Sequence, residues 1–540
     1  MKKAILFLFL SFSMIISAQV TNEGTPESWN LNTIESLESI KMPAFNLQEL
    51  MEEDALIDHQ GKQAWRFGKE FVVNYSLKNS GMWTTLDNGD RIWRIRFQSE
   101  DAITMNFIFE DFYLPEGGKI YLYNNEKTAL LGAYTHQENN SERMLGTWMI
   151  DGDDVWIEYL EPKNVQGKGI LQIGKVVHGY RSQSQLLLEF NQKSLNSSGP
   201  CNHDVDCPIN PDLEDFKNHN KWGVAFLQMG GYICSGSLIN NTTNDGTPYF
   251  LTADHCYSGN PATWSFRFKW ISPNPICAAY QNSTNGPTHF VMSGSQLRAR
   301  NGQSDFCLVE LNNSVPAAWD LVWAGWDRSD NVPSKSWGLH HPSGDIMKVC
   351  VDEQSPTKTV SGGAVVWRVN SWELGVTEGG SSGSPLYDNN GRIIGQLYGG
   401  TAVCQGLNPV GWDVYGRFAT SWNSGSNASS RLREWLDPSN SGVTVLDPFP
   451  PMNLSVNDNA FKNSIKIYPN PSQGIFNVSN PLGTGLNYEV YNVLGKLITK
   501  GNSTNFNFSL DISGNTSGVY FIKVTDIQTQ SSLTEKLILR

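Results

Sequence analysis

A mostly β, multidomain chain is what this sequence predicts, and three observations carry that expectation. Apolar and polar residues alternate with period two through much of the chain, as in Trp93-Arg94-Ile95-Arg96-Phe97 and Met105-Asn106-Phe107-Ile108-Phe109. Turn signals such as Asp87-Asn88-Gly89-Asp90 and Glu116-Gly117-Gly118 punctuate these runs. At 540 residues the chain is too long for a single hydrophobic core.

Taken in order, Lys2 and Lys3 precede an apolar run from Ala4 to Ile16 and the small residues Ser17 and Ala18. That run is too short to span a bilayer, so residues 1–18 read as a cleaved export signal. Residues 19–193 read as a pro-region. Its first part, to about residue 60, has Leu31, Ile34, Leu37 and Ile40 roughly one turn apart, a partly helical pattern. From Trp65 to about Leu160 the pattern is strand-like and predicts a β-sandwich-like domain. Residues 194–447 form the next block, rich in Gly, Trp and short β-prone runs, ending in a helix expected over Ser429–Leu436. A linker at 448–463 follows Asp447 and carries Pro448, Pro450 and Pro451. Residues 464–540 form a small C-terminal β block with strands around Asn487–Tyr491 and Val519–Lys523.

Composition narrows the function classes. With 39% hydrophobic and 17% charged residues the chain is ordinary folded protein. Its net charge of −13 disfavours anionic nucleic acid or phospholipid as partners, and no basic cluster offsets it. All eight cysteines fall between Cys201 and Cys404, which marks that block as stabilised differently from its flanks. Export places them in an oxidising compartment, where an even count implies disulfides, although eight cysteines allow 105 pairings.

Three segments of the cysteine-bearing block carry chemistry: Leu251-Thr252-Ala253-Asp254-His255-Cys256, Ser304-Asp305-Phe306, and Gly379-Gly380-Ser381-Ser382-Gly383-Ser384-Pro385. A serine hydroxyl is a poor nucleophile until a base removes its proton, and histidine titrates near neutrality. His255 is therefore the expected base, Asp305 the group that orients and stabilises its imidazolium, and Ser382 the nucleophile. The glycines around Ser382 allow a tight turn that aims the Gly380 and Ser382 amides at a developing oxyanion. Asp254 and Asp327 compete for the carboxylate role. Asp254 would have to fold back on its neighbour, and Asp327 belongs to a stretch, Trp323–Arg328, that the resemblance given next marks as a non-catalytic motif. His340-His341 alone is no metal-ligand set, and no His-Glu-x-x-His motif occurs. No metal or cofactor is expected.

With these motifs in hand, the block from Cys201 to Leu446 resembles lysyl endopeptidase, a bacterial branch of the chymotrypsin-like serine proteases. The resemblance also rests on Cys201-Asn202-His203-Asp204-Val205-Asp206-Cys207, Trp323–Arg328, His340-His341-Pro342, Gly375–Pro385, Asp413–Arg417 and Arg431–Pro438. It implies a chymotrypsin-like double antiparallel β-barrel with the triad between the barrels. It implies the pairs Cys201–Cys404, Cys207–Cys277 and Cys234–Cys256, and leaves Cys307 and Cys350 as a fourth bridge or as buried thiols. It also assigns the S1 carboxylate to Asp413, with pairing to Arg417 as the plain alternative and Glu378 as a rival carboxylate. The trypsin solution is absent, because Val376 occupies the position six residues before the nucleophile. Cleavage after lysine is the expectation, with another P1 preference or an inactive surface-binding homologue as the alternatives.

Lys193 fits the same reading. A lysine-specific enzyme could release Ser194 as its own mature N-terminus, and the family has a long pro-region. Ser381 stands where trypsin-like zymogens carry an activating aspartate, so blockage of the cleft by the pro-domain is expected instead. Residues 464–540 resemble the sorting domain of type IX secretion, on Ile467-Tyr468-Pro469-Asn470-Pro471, Gly474, Gly518-Val519-Tyr520 and Lys536–Arg540. That resemblance implies a secreted or cell-surface protein with the secretion machinery as a partner. Protein or peptide substrates and the chain's own pro-domain complete the expected partners, with nucleic acid excluded and a monomer expected.

Overall fold

The computed structural model describes residues 24–32, 34–58, 63–181, 198–284, 290–452, 465–480, 485–493, 495–505, 507–527 and 532–540. The signal segment 1–18 and Lys193 lie outside them. Two compact units result, Met1–Pro450 and Pro451–Arg540.

The N-terminal block, expected from the sequence to be a pro-region and so called below, folds as two facing sheets. One joins strands Arg91–Gln98, Asp154–Glu161, Lys119–Asn124 and Leu130–Tyr134; the other joins Thr104–Tyr113, Ile170–Gly179 and Gly68–Ser76. The alternating residues read from the sequence do what period two requires: Trp93, Ile95 and Phe97 turn inward against Met105, Phe107 and Phe109, all fully buried. The helical pattern expected near Leu31–Ile40 does not form. Ile40–Lys41 instead adds in parallel to the edge of Arg91–Gln98, and Leu37 packs on the aromatic cluster of Tyr121, Tyr123 and Trp156. Edge pairing and aromatic packing satisfy this segment without helical bonds. The helix comes later, at Leu47–Asp58, with Leu50 and Asp54 one turn apart on its buried face.

Seven strands build the first barrel: β1 (Val224–Met229), β2 (Tyr232–Leu238), β3 (Tyr249–Ala253), β4 (Trp264–Phe268), β5 (Val291–Ser293), β6 (Ser295–Asn301) and β7 (Phe306–Leu311). Their order is β5-β4-β1-β2-β3-β7-β6, so β5 and β6 lie at opposite ends of the ladder although only Gly294 separates them in sequence. Gly294 has φ +85°, its N–H donates to the Trp264 carbonyl, and its carbonyl accepts from Asn312. One strand thus bends through a left-handed glycine and pairs with both ends, which closes the sheet.

The second barrel uses β8 (Ser336–His340), β9 (Lys348–Asp352), β10 (Thr357–Ser361), β11 (Ala364–Val369), β12 (Pro385–Tyr387), β13 (Ile393–Gly400) and β14 (Asp413–Arg417), ordered β9-β8-β12-β13-β14-β11-β10. A bridge between Val351 and Leu374 links β9 to the chain beyond β11. A shared core of Leu251, Phe306, Leu308, Trp326, Trp337, Leu339 and Tyr387 joins the two barrels. The helix expected at Ser429–Leu436 is split. A 3-10 turn at Ala428–Ser430 and a short helix at Arg433–Leu436 flank Arg431, whose backbone is extended.

Three disulfides form, Cys201–Cys404, Cys207–Cys277 and Cys234–Cys256. A fourth, Cys307–Cys350, does not. Cys307 lies on β7 and Cys350 on β9, in different barrels, and both are buried free thiols.

The C-terminal unit packs a sheet of Lys466–Tyr468, Ile475–Ser479 and Asn507–Asp511 with another of Leu497–Ser503, Leu486–Asn492, Gly518–Asp526 and Ser532–Leu539. Phe476, Val478, Val490, Ile522 and Leu537 form its core.

Candidate active site

His255 sits in a 3-10 turn, Asp254–Cys256, at the end of β3, and the Cys234–Cys256 bridge ties that turn to β2. Its Nδ1–H donates to Asp305 Oδ2 at 2.8 Å, and its backbone N–H donates to Oδ1 at 2.9 Å. With Nδ1 carrying the proton, Nε2 is left as the lone-pair nitrogen, and it is buried without a hydrogen-bond partner among the described residues. Asp305 precedes β7 in a left-handed conformation (φ 54°), a costly backbone for a non-glycine residue. The Asp254 N–H and the Gln396 amide bond to its carbonyl and hold it there. Burial pushes the Asp305 carboxyl up, and the contact with His255 pulls it back.

The rival carboxylates lie elsewhere. Asp254 is paired with Arg300 at 2.6 Å, and Asp327 accepts from the Ser329 N–H in a strand pair beside the C-terminal end of the block.

Ser382 lies in the loop before β12. Ser235 of β2 braces that loop twice: its N–H donates to the Ser382 carbonyl at 2.8 Å, and its hydroxyl donates to the Gly380 carbonyl at 2.9 Å. With both carbonyls taken, the Gly380 and Ser382 N–H groups make no hydrogen bond to other described residues. Gly380 and Gly383 have φ of 89° and 80°. A Cβ on Gly383 would lie 2.1 Å from Thr252 Oγ1, so glycine is required there by both conformation and space. Ser381 is a strut: its hydroxyl engages His340 Nδ1 at 2.7 Å and accepts from the Glu378 N–H at 3.1 Å. His341 donates from Nδ1 to the Asp345 carbonyl and stacks on Trp270. Burial pushes both histidines down to about 3, so they support this loop as neutral rings.

A cavity of about 230 Å³ opens beside Ser382 and reaches Asp413, with Thr377, Leu397, Tyr398 and Ala402 among its walls. Asp413 is 1% exposed. Its Oδ2 accepts from Trp372 Nε1 at 2.7 Å and Thr377 Oγ1 at 2.8 Å, while Oδ1 makes no hydrogen bond of full geometry among the described residues. Burial pushes the carboxyl up to about 6, against the pull of those two donors and of the nearby Ala402 and Thr377 backbone N–H groups. Arg417 is not its partner, being paired with Asp330. Glu378 borders the cavity too, but its carboxylate is saturated by Ser343 Oγ, the Gly199 N–H and the Asn202 side chain.

Sequence reasoning missed several groups. Tyr398 sets its ring against the edge of His255 at 5.9 Å. Trp372 and Thr377 orient Asp413 from outside its own segment. Trp65, in the pro-region, reaches the cleft: the two-residue strand Trp65–Arg66 adds to β2 opposite Ile233 and Tyr232. Thr377 fell within the Gly375–Pro385 motif; Trp65 had no local signal at all.

Residues 195–416 match the family model of the lysyl endopeptidase C-terminal domain. By that match the central block is similar to the lysyl endopeptidases. Residues 466–540 match the secretion-system C-terminal sorting domain, and with that tail the protein is secreted or held at the cell surface. A curated lysyl endopeptidase from Pseudomonas aeruginosa is 28% identical over 269 residues, 47% of this chain and 57% of that protein. The chain therefore spans little more than half the length of that relative. Among solved structures, the HtrA-type protease AlgW with tripeptide aligns over 61% of this chain and 98% of its own at 12% identity, with a TM-score of 0.27. A second structure of that protease, with a decapeptide, aligns over 60% and 95% at 9% identity with the same score. Scores this low carry no argument. The lysyl endopeptidase matches support a serine protease.

Proposed function

We propose that this chain is the precursor of a serine endopeptidase that hydrolyses peptide bonds on the carboxyl side of lysine. The observation that carries the reading is the cavity that joins Ser382 to the buried carboxylate of Asp413, which has donors around it but no paired cation among the described residues. A lysine side chain entering beside Ser382 would bring its ammonium to Asp413 and supply the positive charge that the carboxylate lacks. Neutral side chains would leave a buried charge unpaired, which is costly.

In the reaction, Ser382 Oγ attacks the carbonyl carbon as His255 Nε2 takes its proton. Asp305, bonded to Nδ1, stabilises the imidazolium. The Gly380 and Ser382 amides stabilise the oxyanion. Collapse of the tetrahedral intermediate expels the leaving amine, protonated by His255, and leaves an acyl-serine. Water activated by the same histidine then hydrolyses the ester and restores Ser382.

The pro-region would hold the enzyme silent until processing, because Asp58, Gln63 and Trp65 border the same cavity. Processing after Lys193 by the enzyme itself is part of the proposal. A library of peptides varied only at P1 tests the specificity. Strong preference for lysine, abolished in Asp413→Asn, is expected; equal cleavage after leucine and lysine would refute it. Covalent labelling by a fluorophosphonate probe, lost in Ser382→Ala, separates an enzyme from an inactive binding homologue.

A further inference from the structure

The pro-region does more than cover the cleft. From Gln63 to Arg66 it runs in a fixed direction relative to the catalytic groups. Gln63 borders the cavity that holds Ser382 and Asp413. Ala64, 4% exposed, packs in the apolar cluster that contains Cys234 and Cys256, whose bridge anchors the His255 turn. Trp65 then pairs with Ile233, and Arg66 with Tyr232, as an antiparallel strand on β2. The chain thus runs N-to-C along the border of the cavity and onto the β2 ladder, with Trp65 still at the cavity's edge and Ala64 in the apolar cluster of the Cys234–Cys256 bridge. A substrate's leaving-group half, lying beyond the scissile bond, must take the same course, since its N-terminal half fills the S1 side.

Trp65 is the anchor of this segment. Its indole occupies the space where residue 379 would carry a side chain: a Cβ on Gly379 would lie 2.2 Å from Trp65 Cδ1 and 2.5 Å from Nε1. Gly379 adjoins Gly380, one of the two proposed oxyanion donors. The seat therefore exists only because position 379 is a glycine, and φ at Gly379 is not left-handed, so backbone conformation does not explain that choice. The outer face of the ring is covered by the Arg181 guanidinium at 4.4 Å, a group of the pro-region itself.

We propose that the surface formed by Gly379 and the Tyr232–Ile233 edge of β2 is a leaving-group subsite, and that it selects substrates with an aromatic residue two positions after the scissile bond. Gln63–Arg66 occupies it as a built-in substrate mimic. The inference rests on the serine endopeptidase reading but not on the identity of the P1 residue. Backbone pairing on β2 gives affinity without sequence choice, and the side-chain seat supplies the choice. The bare backbone of Gly379 leaves room there for a flat ring.

The test uses processed enzyme recovered from expression of the full chain, with peptides of the form P1-Ala-X-Arg. P1 is Lys, Arg, Leu or Gln, and X is Trp, Phe or Ala. For whichever P1 is cleaved best, kcat/KM is expected to be at least 10-fold higher with X = Trp than with X = Ala. Gly379→Ala should bring that ratio towards one, whatever it does to the overall rate. A ratio within 2-fold in the unmodified enzyme, or one untouched by Gly379→Ala, overturns the subsite. Best cleavage at a P1 other than lysine, with the ratio intact, overturns the lysine reading alone. Should no peptide be cleaved, competition of Gln-Ala-Trp-Arg and Gln-Ala-Ala-Arg amides against a fluorescent copy of the first decides the matter. Tenfold tighter binding of the Trp peptide supports the subsite, and equal binding overturns it.

Discussion

Asp413→Asn isolates the proposed charge recognition from the shape of the pocket. The amide is isosteric, and its oxygen can still accept from Trp372 Nε1 and Thr377 Oγ1, which hold Oδ2 at 2.7 and 2.8 Å. What is lost is the negative charge of the carboxylate, which no cation pairs among the described residues. Two unit charges about 4 Å apart at an effective dielectric near 20 attract by about 4 kcal/mol. Stripping water from the incoming ammonium offsets part of that, leaving about 2–3 kcal/mol, or ~30- to ~150-fold in kcat/KM. The assay compares matched peptides with lysine and leucine at P1. The lysine-to-leucine ratio should fall by that factor, while leucine cleavage changes less than ~3-fold. The same charge predicts a pH dependence. Asp413 in the free enzyme is protonated below about 6, so the lysine advantage should rise with pH through that value as the carboxylate forms. A lysine-to-leucine ratio unchanged in Asp413→Asn, or flat between pH 5 and 7, would refute this account of the pocket.

Three further outcomes follow from the geometry. Asp305→Asn should lower kcat by about 10⁴, because the amide cannot keep Nδ1 as the protonated nitrogen of His255, while circular dichroism remains native. Gly383→Ala places a methyl 2.1 Å from Thr252 Oγ1 on a left-handed backbone. It should cost about 1–3 kcal/mol in the loop, seen as lower Tm and at least ~100-fold lower activity. Cys307 and Cys350, buried with their thiols pushed up by burial, should resist a thiol reagent in the native protein and both react after denaturation without reductant. A single reactive thiol, or none, would contradict their assignment as free.

The strands were legible wherever one face is buried and the other wet, since alternation then writes the geometry into composition. Trp93–Phe97 and Met105–Phe109 show this. Leu31–Ile40 misled because apolar spacing near 3.6 is equally produced by an extended segment laid against aromatics. His255, Asp305 and Ser382 stand out in the sequence because each sits in a short motif whose local backbone is special, a turn at a strand end or a glycine-flanked loop, and the bond between His255 and Asp305 is the part of the proposed triad that the structure shows. The supports were not. Ser235 braces the Ser382 loop through Gly380, 145 residues away in sequence, and no local pattern encodes a partner at that distance. Trp65 is harder still, for its meaning lies in the missing side chain of Gly379.

The core of the pro-region does not stop at its own sheets. Phe226, Ile233, Trp270 and Ile346 belong to the same buried cluster as Trp93, Phe107 and Trp148. Trp148 meets Phe226 edge-on at 5.4 Å, and Gly146 fits so closely on Thr263 that a methyl there would strike its carbonyl at 1.9 Å. Under the proposed processing, scission after Lys193 would cut one covalent connection and remove none of these contacts. The first product would then be a nicked, non-covalent complex, with activation timed by dissociation or digestion of its tightly held passenger. Such a delay lets the chain be cut early in its journey and armed only at its destination.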